Sequence, residues 1–190
     1  MPIRPLSALT ALLHVYIALR LLPALAVLTP AWPLALLALV VSAATIPLPF
    51  MSHRRGREGA GNSNLLKWIG LISMGWFSSM FVLTLVRDAG LMLTWLAGAL
   101  GGVQVQWNAL LPWSALAVLA MATATSAIGF LNARRTAGVK RVEVPIRGLP
   151  QALEGFAIAQ LSDIHVGPTI RNSYIQRIVD AVNRLGADAI

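Results

Sequence analysis

Four long apolar runs occupy most of the first 133 positions of this 190-residue chain, and they constrain its fold more than any other feature. A helix needs about 20 mainly apolar residues to cross a bilayer. Inside the hydrocarbon, backbone polar groups must be satisfied within the segment, which leaves helices or closed barrels. Residues 6–28, 32–50, 67–87 and 110–131 each suit a helix of that kind. Only 12% of the chain is charged, against about 25% in soluble proteins. The expectation for residues 1–133 is a membrane α-helical bundle of about four transmembrane helices.

The first run is interrupted by His14, Arg20 and Pro23. An arginine at the centre of a span costs roughly 2.5–3.5 kcal/mol on the insertion scale, whereas each Leu, Ile or Val contributes about 0.3–0.6 in favour. Nine leucines, two valines and one isoleucine outweigh it. The run is also too long, and too charged, for a cleavable signal peptide. Residues 29–33 read as a tight turn, and Pro47 and Pro49 close the second run. A polar loop rich in glycine follows over 52–64. The third run opens at Lys67-Trp68 and ends at Arg87-Asp88, which places Arg87 in an outer loop. Residues 91–103 are short for a crossing of their own. They can extend the third helix, lie in the interface or re-enter, and extension or an interfacial position suits them best.

The chain carries a net charge of +8, and the positions of its basic residues explain it. Arg54, Arg55, Arg57 and Lys67 flank one apolar run, and Arg134, Arg135, Lys140 and Arg141 follow another. Basic clusters beside spans mark the cytoplasmic side and can touch anionic headgroups. The expected partner is therefore the lipid bilayer, and no nucleic acid binding is expected. Four crossings put both termini in the cytoplasm, as a multi-pass protein of the cell inner (plasma) membrane. With no cysteine, disulfides, thiolate metal sites and Cys nucleophiles are excluded.

Arg20 inside a span is by default a candidate functional residue, set against pairing within the bundle or snorkelling. Asp88 is read as a partner for Arg87 or for a neighbouring helix. His14 and Arg20 are six residues apart, about 240° around a helix, so a joint proton relay is not expected. Gly70, Gly75 and the glycines of 98–102 read as close-packing or loop positions rather than a dimer face.

After Asn132 the composition changes. Residues 134–141 form a basic linker, and 142–144 alternate as a strand does. Gly148-Leu149-Pro150 marks a turn, and 156–161 form a second strand. Asn172 is a candidate helix N-cap. Ile175, Ile178, Val179, Val182 and Leu185 repeat with the spacing of an amphipathic helix. Asp180 and Arg184 stand in the i,i+4 order that favours an ion pair, and Gly186 suits the C′ position. Residues 187–190 begin another strand. Residues 142–190 are thus expected to be the truncated start of an α/β domain, a βαβ portion whose remainder lies past Ile190.

The second strand leads into Asp163-Ile164-His165, before Gly167-Pro168. Residues i and i+2 of a strand share a face, so one carboxylate and one imidazole converge, as a divalent cation requires. Taken alone, such a triplet is equally a polar strand end facing solvent. Its surroundings narrow the choice: Val142-Glu143-Val144-Pro145, Leu149-Pro150, Leu153-Glu154-Gly155, then Gln160-Leu161-Ser162-Asp163-Ile164-His165-Val166-Gly167-Pro168, then Val182-Asn183-Arg184-Leu185 and Ala187-Asp188-Ala189-Ile190. This stretch resembles the opening of the calcineurin-like metallophosphoesterase domain, in the membrane-anchored bacterial branch of that family. It covers about a quarter of the chain and only the first motif block of the domain.

The resemblance implies a metal-dependent phosphoesterase acting on phosphate-ester substrates, with two divalent metal ions (Mn, Fe or Zn) in the full-length protein. It casts Asp163 and His165 as catalytic metal ligands of the first ion, with Asp163 also near the bridging water. Gly167 would let the loop backbone pass close to the site. The family's later blocks, Gly-Asp, Gly-Asn-His and Gly-x-His, do not occur in these 190 residues. A two-metal centre needs more ligands than one Asp and one His supply, so this chain alone is expected to be inactive. The competing expectation is an integral membrane transport, sensor or assembly protein with a non-catalytic α/β appendage.

Overall fold

The computed structural model describes residues 3–49, 62–102, 104–135, 138–162, 164 and 172–190. Contacts divide the chain into two units, Met1–Ala133 and Arg134–Ile190.

Among the described residues, the first unit contains four long helices: α1 (Ile3–Leu28), α2 (Trp32–Thr45), α3 (Asn62–Gly101) and α4 (Trp107–Ala133). α1 packs on α2 and α4, α2 on α3, α3 on α4, and α1 on α3. Cross-helix pairs fix their directions. His14, Tyr16 and Arg20 of α1 meet Phe77, Phe81 and Asp88 of α3 in the same order, so these two run parallel. Trp68, Trp76 and Arg87 of α3 meet Phe130, Thr123 and Ser114 of α4 in reverse order, so that pair is antiparallel. α1 and α2 form a hairpin whose turn is held by Thr29, its Oγ1 accepting from the Ala31 N–H at 3.1 Å. Pro33 sits in the first turn of α2, where a missing N–H costs nothing.

Among the described residues, three helices are long and apolar enough to cross a membrane: α1, α3 and α4. The expected span 32–50 is the exception. α2 stops at Thr45 after 14 residues, about 21 Å of helix against a hydrocarbon core of about 30 Å. Pro47 and Pro49, which lack an N–H to extend the ladder, follow directly. The expected span 67–87 is also revised. α3 is one helix of 40 residues, about 60 Å long, and 91–101 extend it. Gly102 ends it at φ 66°, its N–H donating to the Gly98 carbonyl at 3.2 Å, the single-bond left-handed cap. Arg87 is accordingly not in a loop but buried in the middle of a helix.

The bundle core is formed by Ile17, Leu21 and Leu25 of α1, Leu39 of α2, Met80 of α3, and Ala115, Val118 and Ala122 of α4. The small residues of α4 fall at helical spacing, which lets neighbouring backbones come close. Many large apolar side chains face outward, Leu19 and Val27 among them. In lipid such a surface is matched to its solvent rather than left unburied.

In the second unit, the described residues contain a single 3-10 turn (Gln151–Leu153) and helix α5 (Asn172–Asn183). No strand occurs among them. The expected strand 142–144 has no ladder partner among the described residues, and both valines are exposed. The expected strands 156–161 and 187–190 meet only at one isolated parallel bridge, Ile158 to Ala189. Asp188 clamps this junction. Its N–H donates to the Ala157 carbonyl at 2.8 Å, and its Oδ2 accepts from the Ala157 N–H at 2.8 Å. α5 lies in the chain between the two bridged segments, as parallel pairing demands of any crossover. Gly186 takes φ 61° after the helix. The expected Asp180–Arg184 pair is replaced by a bond from Gln176 Nε2 to Asp180 Oδ1 at 2.9 Å.

Candidate functional sites

Asp163 and His165, the expected metal ligands, lie outside the described residues, as do Gly167 and His53. Their flanks are described: Gln160 to Ser162 follow the bridge at Ile158 without regular secondary structure, and Ile164 is exposed. Among the described residues no group of three or more His, Asp or Glu could hold a metal ion. The Asp-plus-His donor set suits borderline divalent cations. Two donors do not make up a dinuclear centre, however, and no catalytic step follows from them alone.

A second concentration of chemistry lies inside the bundle. Asp88 of α3 accepts from Arg20 Nε at 2.6 Å and from the Tyr16 hydroxyl at 2.7 Å through Oδ2, and from Arg87 Nη1 at 3.3 Å through Oδ1. Tyr16 and Arg20 are four apart on α1, which stacks them on one face. Arg87 then reaches α1 and α4. It donates from Nη1 to the Arg20 carbonyl at 3.4 Å, from Nη2 to the Leu111 carbonyl at 3.1 Å, and from Nε to Ser114 Oγ at 2.9 Å. One guanidinium thus ties α1, α3 and α4 together.

The expectation that Arg20 and Asp88 serve as pairing residues is met. The role of Arg87 could not be read from the sequence, because a basic residue beside an acid at the end of an apolar run looks like a helix terminus. The one available signal was that 91–101 remain apolar.

His14 belongs to a separate polar seam. Its Nδ1–H donates to the Thr10 carbonyl at 2.7 Å, which leaves Nε2 to accept from the Ser42 hydroxyl at 3.0 Å. The ring stacks on Phe77 with centroids 4.3 Å apart. Thr45 Oγ1 reaches Ser73 Oγ at 3.3 Å, linking α2 to α3. No contact joins His14 to Arg20, in keeping with their angular separation.

A half-open cleft of about 420 Å³ adjoins the arginine cluster, lined by Arg20, Ala24, Val27, Arg87, Asn108 and Leu111 among others.

Two curated proteins resemble this chain, both named "Transmembrane protein with metallophosphoesterase domain". The one from Danio rerio is 45% identical over 62 residues, 33% of this chain and 14% of the relative. The one from Bos taurus is 37% identical over 107 residues, 56% of this chain and 24% of the relative. The chain thus matches about a quarter or less of the length of these relatives. Both are vertebrate proteins, and they lend no support to a specifically bacterial branch. No protein-family model matches the chain, and no solved structure does.

Proposed function

We propose that this chain is the membrane-anchoring part of a metal-dependent phosphoesterase that hydrolyses phosphate esters. The observation that carries the reading is a shared pairing. Two relatives are named for transmembrane character together with a metallophosphoesterase domain, and this chain joins membrane-length helices to the Asp163-Ile164-His165 motif. In this reading Asp163 and His165 are the first ligands of a centre of two divalent ions, whose other ligands belong to a longer protein. Such ions polarise a phosphoryl oxygen and generate hydroxide near neutral pH. The bundle fixes the enzyme to the plasma membrane, with the basic segments 54–57 and 134–141 and the catalytic domain on the cytoplasmic side.

The bundle itself favours anchoring over transport. The charges described within it are drawn together in one cluster, bonded to one another and to backbone carbonyls, instead of being strung along a path.

In the full-length protein, Asp163→Asn should abolish metal-stimulated hydrolysis of an aryl phosphate while membrane insertion persists. Full turnover by that variant would refute the ligand assignment. The purified 190-residue chain should show no Mn²⁺-stimulated hydrolysis, and activity there would overturn the view that further ligands are required.

A further inference from the structure

The Arg20–Asp88–Arg87 cluster is not electrically balanced. Two guanidiniums face a single carboxylate, and Asp88 is the one acidic residue among the described residues of the bundle. The two arginines are also held differently. Arg87 is buried, with all three guanidinium nitrogens bonded to protein. Arg20 offers only Nε to Asp88, and no hydrogen bond from its Nη1 or Nη2 to another described residue is found. Its side chain is 46% exposed and lines the cleft. A cation with free donors at the edge of a hydrocarbon layer is costly unless an anion meets it.

The cleft has the other features of an anion site with apolar tails. Its volume of about 420 Å³ falls within the roughly 300–1,000 Å³ typical of small-molecule pockets. Asn108, in the first turn of α4, adds an amide to the lining, and a helix start carries partial positive charge. Val27 and Leu111 supply apolar walls. The cleft lies toward the end of the bundle where α1 finishes and α4 begins. Arg20 stands eight residues from the end of α1, about 12 Å along its axis, a depth from which an arginine snorkels to the headgroup layer.

We propose that this cleft seats the phosphate of an anionic membrane phospholipid, with Arg20 Nη1 and Nη2 donating to the phosphate oxygens and the acyl chains lying over Val27 and Leu111. The net charge of +1 on the cluster favours a lipid with a net negative headgroup over a zwitterionic one. The inference does not depend on the phosphoesterase reading, because binding is measured rather than hydrolysis.

The test is native mass spectrometry of the chain in neutral detergent, titrated with dioleoyl phosphatidylglycerol, dioleoyl phosphatidylcholine or inorganic phosphate. The expected result is saturable binding of phosphatidylglycerol, about tenfold tighter than phosphatidylcholine, and no competition from millimolar inorganic phosphate. Arg20→Gln should reduce phosphatidylglycerol affinity to the phosphatidylcholine level. Ala24→Leu, which fills the cleft and leaves every charge in place, should weaken both lipids; it guards against a folding defect in the first variant. Equal affinity for the two lipids, wild-type binding by both variants, or displacement by inorganic phosphate would each overturn the proposal.

Discussion

Asp88 carries more of the bundle's electrostatic burden than any other residue. It is the sole described carboxylate among helices that also hold Arg20 and Arg87, and it accepts from both and from Tyr16. Removing one partner of a buried ion pair leaves an uncompensated charge, at a cost of about 3–5 kcal/mol. Asp88→Ala should therefore lower the thermal unfolding midpoint in detergent sharply. Tyr16→Phe removes one hydrogen bond to a charged group, worth about 1.5–3 kcal/mol, and should lower it less. Equal, small effects from both would show that the cluster is not what holds α1 to α3. The residue types in this cluster were visible in the sequence, and so was the need for Arg20 and Asp88 to find partners. That Arg87 points inward was not visible, since Arg87-Asp88 shortly before Gly90 looks the same whether a helix stops there or continues.

Among the four bundle helices, the shortest, α2, depends on a close approach. A methyl group built on Gly70 of α3 would stand 2.6 Å from the Thr45 carbonyl at the end of α2, and 3.0 Å from the Pro49 ring. Backbone on that side cannot yield as a flexible side chain would. Gly70→Val should force α2 away from α3, with an overpacking cost of about 1–3 kcal/mol. Gly75→Val, with nothing within 4 Å of the added carbon, serves as the control. Thermal unfolding of the two variants checks the difference, and equal midpoints would argue against the close approach. The sequence marked both glycines as possible packing positions and could not rank them. Which glycine faces a neighbouring backbone depends on the rotation of α3 about its axis, and a helix apolar on nearly every side does not encode that rotation.

For the molecule as a whole, the up-down order of the four helices has a consequence for sidedness. The chain has no cysteine, so a single introduced thiol reports its own surroundings. Leu65, at the start of α3, and Val139, after α4, are both exposed. Cysteines there should react with an impermeant maleimide from the same side of a sealed vesicle, and one at Gln104, exposed in the α3–α4 connection, only from the opposite side. Labelling of Leu65→Cys and Val139→Cys from opposite sides would mean that α3 and α4 do not both cross. The same sidedness bears on the proposed enzyme, whose catalytic domain would follow Val139 on the cytoplasmic face.

The sequence by itself determined that the apolar runs before Asn132 form helices, because hydrocarbon tolerates backbone only when its polar groups are paired locally, and length and apolarity are local properties. In the tail it singled out Asp163 and His165 as candidate ligands, through their residue types and the stretch around them. Only the tertiary structure decided that α2 is short, that α3 runs unbroken to Gly101, and that Arg87 sits at the meeting of three helices. Those outcomes depend on which groups meet across helices. In a bundle with apolar residues on almost every face, few polar side chains remain to specify that choice, and their partners lie tens of residues away in the chain.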